Sequence, residues 1–75
     1  MEILLKKPKR GRTYEDQLYS VIEDRTLGPF DVGIFARIWI ARQKQEEESW
    51  YIDEKDKLTR HALSKLEDSG FLKVE

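Results

Sequence analysis

The sequence predicts a mostly α domain, a three-helix core with a minor β-strand pair formed by the two termini. Three observations carry this expectation. Residues 30–42 are apolar around so much of a helical circumference that no polar face stays clear, the pattern of a helix buried in a bundle. Residues 13–25 and 57–69 each place apolar side chains at helical spacing along one face only. Short apolar runs, Ile3-Leu4-Leu5 and Phe71-Leu72-Lys73-Val74, lie near the two ends.

At 75 residues the chain has room for one small domain. A domain of this size buries only about 60–65% of its extended-chain surface, so one layer of packing must suffice. With no cysteine, there is no disulfide framework, thiol nucleophile or cysteine-bound metal site. No apolar run approaches the ~18 residues of a membrane span, and residues 1–5 are too short for a signal peptide. The expectation is a soluble intracellular protein without membrane partners, cytoplasmic, or nuclear in a eukaryotic host.

The net charge of −1 hides a division. Residues 1–12 carry Lys6, Lys7, Lys9, Arg10 and Arg12 against Glu2, a balance of +4, and the remaining residues balance at −5. The chain therefore reads as a basic N-terminal arm, residues 1–12, on an acidic helical domain, residues 13–75.

In order along the chain, Pro8 and Gly11 break the basic run, whose like charges also repel. Thr13 is the expected N-cap of the first helix, with Glu15 and Asp16 near its positive end. Tyr14, Leu18, Val21 and Ile22 form its apolar stripe, and Leu27-Gly28-Pro29 is expected to end it, with Gly28 left-handed. Asp31 is the expected N-cap of the core helix, which runs to about Lys44 and frays at Glu46, Glu47 and Glu48. Residues 49–52 read as a strand or a packed turn. Leu58, Ala62, Leu63 and Leu66 form the inward stripe of the third helix, and Gly70 is its C′ residue.

Catalysis finds little support. His61 is the only histidine, and neither Asp56 nor Asp68 stands three or four residues from it, the spacing of helix neighbours. Glu46, Glu47 and Glu48 lack the spaced ligands of a divalent-ion loop, and the four glycines form no phosphate-cradling loop. No enzyme, metal or cofactor is expected.

The block from Leu58 to Glu75 resembles the recognition helix and following strand of winged helix-turn-helix DNA-binding domains. The resemblance lies in Leu63, Leu66, Glu67, Gly70, Phe71 and Leu72: leucines seat the helix, glycine turns the chain, and an apolar strand follows. It implies a winged-helix-like α+β fold and double-stranded DNA as partner, with helix 57–69 in the major groove. Lys57, Arg60, His61, Ser64 and Lys65 lie on its outer face, where such side chains reach base edges or phosphates. This chain departs from that family in placing about ten residues, rather than a tight turn, between core helix and recognition helix. Residues 2–5 are the expected strand partner of residues 71–74.

The arm resembles a degenerate AT-hook through its Arg10-Gly11-Arg12 core, with Thr13 where that motif has a second proline. This implies a grip on phosphates or a minor groove by Lys6, Lys7, Lys9, Arg10 and Arg12. Lys6-Lys7-Pro8-Lys9-Arg10 also matches a loose nuclear-localisation pattern. Together these features imply an accessory regulator of transcription or of another DNA transaction, of a size seen in viruses and mobile elements. The alternative is an acidic protein-interaction module, or a homodimer, binding through Trp50 and Tyr51.

Overall fold

Each end of the chain supplies one strand and the middle supplies three helices. The order is β1 (Ile3–Leu5), α1 (Tyr14–Glu23), α2 (Pro29–Gln43), α3 (Lys57–Asp68) and β2 (Leu72–Val74). The structure, a computed structural model, describes residues 3–8, 10–47 and 51–75. Architecture is thus mostly helical with a two-stranded antiparallel sheet made by the termini, as the sequence predicts.

The sheet pairs Ile3 with Val74, Leu4 with Lys73 and Leu5 with Leu72. Alternation of side chains puts Ile3 and Leu72 fully into the core and leaves Leu4 and Lys73 outside. Two further contacts hold the strands. The Arg42 guanidinium donates to the Ile3 carbonyl, and the Val74 N–H donates to Glu67 Oε2 at 2.7 Å. Residues 3–5 therefore belong to the packed body, and the basic segment is a strap leading from β1 to α1.

A capping box opens α1. Thr13 Oγ1 accepts from the Asp16 N–H at 3.2 Å, while Asp16 Oδ2 accepts from the Thr13 N–H at 2.9 Å. The helix ends at Glu23, earlier than expected, because Asp24 Oδ1 accepts from both the N–H and the hydroxyl of Thr26, at 2.9 and 2.6 Å. Those bonds hold the Asp24 carboxyl below its usual range, the hydroxyl contributing most. Gly28, expected to be left-handed, has φ −83°. The stripe is also narrower than expected: Val21 is buried and Leu18 half-buried, but Tyr14 and Ile22 are exposed. Packing of α1 is chiefly against α2, which covers only one line of its side chains.

Gly28 is the N-cap of α2 and Pro29 its first residue, where the missing N–H costs nothing. Asp31, expected at the N-cap, sits at the third position, and its Oδ2 accepts from the Gly28 N–H at 2.9 Å. Phe35, Ile38 and Ala41 are fully buried and Ile34 nearly so. Phe35 meets Phe71 edge-on at 6.1 Å. The C-terminal end is closed rather than frayed: the N–H of Glu46 bonds the Ala41 carbonyl, and that of Gln45 bonds Arg42. This is a Schellman cap, with Gln45 at φ 58° where glycine is usual.

Asp56 caps α3, its Oδ2 accepting from the N–H and hydroxyl of Thr59 at 3.1 and 3.0 Å. With its hydroxyl so used, Thr59 can be buried beside Ala62, Leu63 and Leu66. Leu58, expected inside, is 66% exposed. At 100° per residue it lies roughly 90° from the centre of that stripe. Gly70, at φ +84°, ends α3 with the second Schellman cap: its N–H bonds Glu67, and the N–H of Phe71 bonds Leu66.

Leu66→Ala should cost about 2–5 kcal/mol, whereas Leu58→Ala should stay within about 0.5 kcal/mol of wild type. Urea midpoints at unchanged slope measure both, and equal losses would contradict the orientation of α3. Gln45→Gly should stabilise by about 0.5–1 kcal/mol by relieving a left-handed residue with a Cβ. A fall in the midpoint would show that Gln45 contributes more than its backbone conformation costs.

Candidate nucleic-acid interface

The seating of Ala62, Leu63 and Leu66 in the core turns the other face of α3 outward. Lys57, Arg60, His61 and Ser64 are all exposed there, at the helix start and over its first two turns. Leu58 is exposed among them. Lys65 is different: its Nζ donates to Asp31 Oδ2 at 2.8 Å, with 38% of its side chain exposed against 9% for Asp31. Lys65 thus ties α3 to the first turn of α2.

Burial pushes the Asp31 carboxyl up. The Lys65 bond, the Gly28 N–H, the Lys65 charge and the nearby His61 outweigh it and hold the group below its ordinary value. Sequence reasoning missed this role, because a bond from the second helix to the third leaves no local pattern.

The second cationic group is the strap. Lys6, Lys7 and Arg12, with Pro8, line one side of a cleft of about 400 Å³. Asp16, Gln17 and Ser20 of α1 and the turn at residues 69–71 line the rest. The strap is pinned where it leaves β1. The Lys6 N–H donates to the Phe71 carbonyl at 3.1 Å, and Gln17 Nε2 donates to the Lys6 carbonyl at 2.9 Å and to the Phe71 carbonyl at 3.5 Å. Those two carbonyls fix which way the Gln17 amide points. Nothing in the sequence marks Gln17 for this task. Arg10 is exposed beside Gly11, whose φ of +84° turns the chain back toward α1. Lys9 lies outside the described residues.

Strap and α3 do not form one run of positive charge. The strap meets α3 at its C-terminal turn, whereas Lys57 and Arg60 stand in its first turn. Exposed Glu67 and Asp68 occupy the last turn, between the two groups.

Tyr51 and Trp50, expected as a protein interface, divide. The Tyr51 hydroxyl donates to Glu46 Oε2 at 2.6 Å, and its carbonyl accepts from Arg37 at 2.9 Å. The Glu46 bond and, secondarily, burial raise the pKa of Tyr51 above its usual value. It is a half-buried turn residue beside buried Ile52, in a segment expected as a strand or turn. Trp50 lies outside the described residues. Exposed apolar side chains away from α3 include Tyr19, Ile22 and Phe30. Among the described residues, no acidic or histidine cluster could hold a metal ion, and no helix is long and apolar enough to cross a membrane.

Asp31→Ala removes a helix-cap bond and a charge-assisted bond together. It should cost about 1–3 kcal/mol at neutral pH, allowing for solvent screening at Lys65. Because the folded carboxyl titrates below its ordinary value, this contribution is complete above the carboxylate range. It should fade as pH falls through the lowered value. Urea unfolding of both proteins between neutral and acid pH reads the difference, and a gap that widened on acidification would contradict the ion pair.

Comparison of the chain with protein-family models, curated proteins and solved structures gives no match in any of the three.

Proposed function

We propose that this protein binds double-stranded DNA, as a small accessory regulator of transcription or of another DNA transaction. The N-terminal half of α3 would enter the major groove in the manner of a winged helix-turn-helix domain. The observation that carries this reading is the outer face of α3. Lys57, Arg60, His61 and Ser64 are exposed together on a helix whose opposite face is anchored in the core. Guanidinium, ammonium, imidazole and hydroxyl groups there suit guanine edges and phosphates. Lys65, already bonded to Asp31, is left out of the set of direct contacts.

A second reading, a protein-interaction module, is favoured by Tyr19 at 64% and Ile22 at 55% exposure, one helical turn apart on α1. Tyr51 does not favour it, since its polar groups are satisfied within the chain.

The test is titration of duplex DNA at two salt concentrations with wild type, Lys57→Ala and Arg60→Ala. Loss of a base contact should cost about 1–3 kcal/mol and relax selectivity at one position. Loss of a phosphate contact should weaken all sequences alike and reduce the salt slope by about 0.9. If both variants bind as wild type does, α3 is not the reading element. Failure of the intact protein to bind duplex even at low salt would end the DNA reading and leave the interaction module.

A further inference from the structure

We propose that the cleft between the strap, α1 and the turn at residues 69–71 is a preorganised site for a pair of adjacent phosphate groups. It deepens the DNA reading, on which it rests for the most natural source of those phosphates, one strand of the duplex. A free diphosphate carries the same chemistry.

Charge is the first argument. Lys6, Lys7 and Arg12 line the cleft, and none of them forms an ion pair with another described residue. The single acid in the lining, Asp16, already spends Oδ2 on the Thr13 N–H. Ser69 adds a hydroxyl at the rim. Three cations against one committed carboxylate leave the cleft net positive inside a body whose remaining charge is negative.

Order is the second argument. An arm free in solution must be immobilised on binding, at a cost for each long side chain. Here the backbone is already held where the strap leaves β1 and where it enters α1. Gln17 and Phe71 clasp Lys6, Gly11 turns the chain, and the Thr13 cap fixes the residue after Arg12. Lys6 and Arg12, at the two ends of the strap, line the same cleft. That arrangement differs from an extended minor-groove arm, because the Arg10-Gly11-Arg12 core is bent rather than straight.

Position is the third. A helix of 12 residues is about 18 Å long, and the major groove is about 12 Å wide. With the first turns of α3 in the groove, its C-terminal end reaches the flanking backbone, where the cleft opens. Glu67 and Asp68 stand between the two groups, so the cleft engages phosphate independently of the helix face.

The experiment is an amide-resolved NMR titration of the full chain with inorganic pyrophosphate and, separately, with a short duplex. Saturable shifts centred on Ser69, Gly70, Phe71 and the Gln17 side-chain amide are expected with both. Lys6→Ser combined with Lys7→Ser should lower pyrophosphate affinity roughly 100-fold, about tenfold per cation. Both side chains are exposed, so the unfolding midpoint should hold. Gln17→Leu should weaken binding several-fold by releasing the strap, and Arg60→Ala should leave pyrophosphate binding unchanged. Shifts from pyrophosphate but none from duplex would keep the cleft, assign it to free diphosphates and remove the DNA reading. Shifts from duplex confined to α3, with none from pyrophosphate, would overturn the cleft and keep the DNA reading. Wild-type pyrophosphate affinity in the Lys6 and Lys7 double variant, or no saturable shift with either ligand, would also overturn it.

Discussion

The antiparallel pairing of β1 with β2 is the constraint on which the remaining geometry depends. It places Ile3 and Leu72, both without solvent exposure, against the helices and so completes a core that three short helices would leave open. It also decides where the charged strap begins. Lys6 follows the last paired residue and continues the ladder by one bond to Phe71, which brings the strap over α1. Phe71 itself is held from behind by Phe35. A buried ring, a short ladder and a surface cleft are therefore one connected arrangement.

The Asp31 carboxylate does comparable work between helices. One oxygen serves the N-terminus of α2 and the ammonium of Lys65 at once, so the start of α2 and the later turns of α3 are held in register. The desolvation cost falls mainly on Asp31, because Lys65 keeps part of its length in water. The same bond sorts the cations of α3 into one with an internal partner and those turned outward. Charge on a helix surface is thus not a uniform resource: the neighbouring helix determines which of it is available to a ligand.

What was legible in the sequence followed from local rules. The Thr13 cap, the Gly70 stop and the short apolar runs of the end strands each need only a few residues, and each appears as expected. The errors have local causes too. Asp24 and Thr26 close a side-chain turn before Gly28 can act, and Leu58 lies at the edge of a stripe that Thr59 replaces. Gln45 takes a conformation that its type does not advertise. In the candidate site, the exposure of Lys57, Arg60, His61 and Ser64 could be read from helical spacing. The bonds of Gln17 to Phe71 and of Lys65 to Asp31 could not, since they join residues far apart in the chain and obey no repeat.

Pairing the two ends has a consequence for how the molecule is assembled. The helices pack on their neighbours along the chain, but the sheet must close almost the whole chain into a loop. Loop closure costs little more with each doubling of length, about 0.6 kcal/mol, yet that entropy must be lost before any strand contact forms. The expected sequence is helices first and ladder last. In the native state the short strands stay tied to the body, because opening them would expose Ile3 and Leu72, both fully buried. The bond from Lys6 to Phe71 extends that same ladder, so the start of the strap is held by the buried pair beneath it. The two charged surfaces therefore depend on different stages of assembly: the outer face of α3 on the packing of neighbouring helices, the cleft on the last closure of the chain.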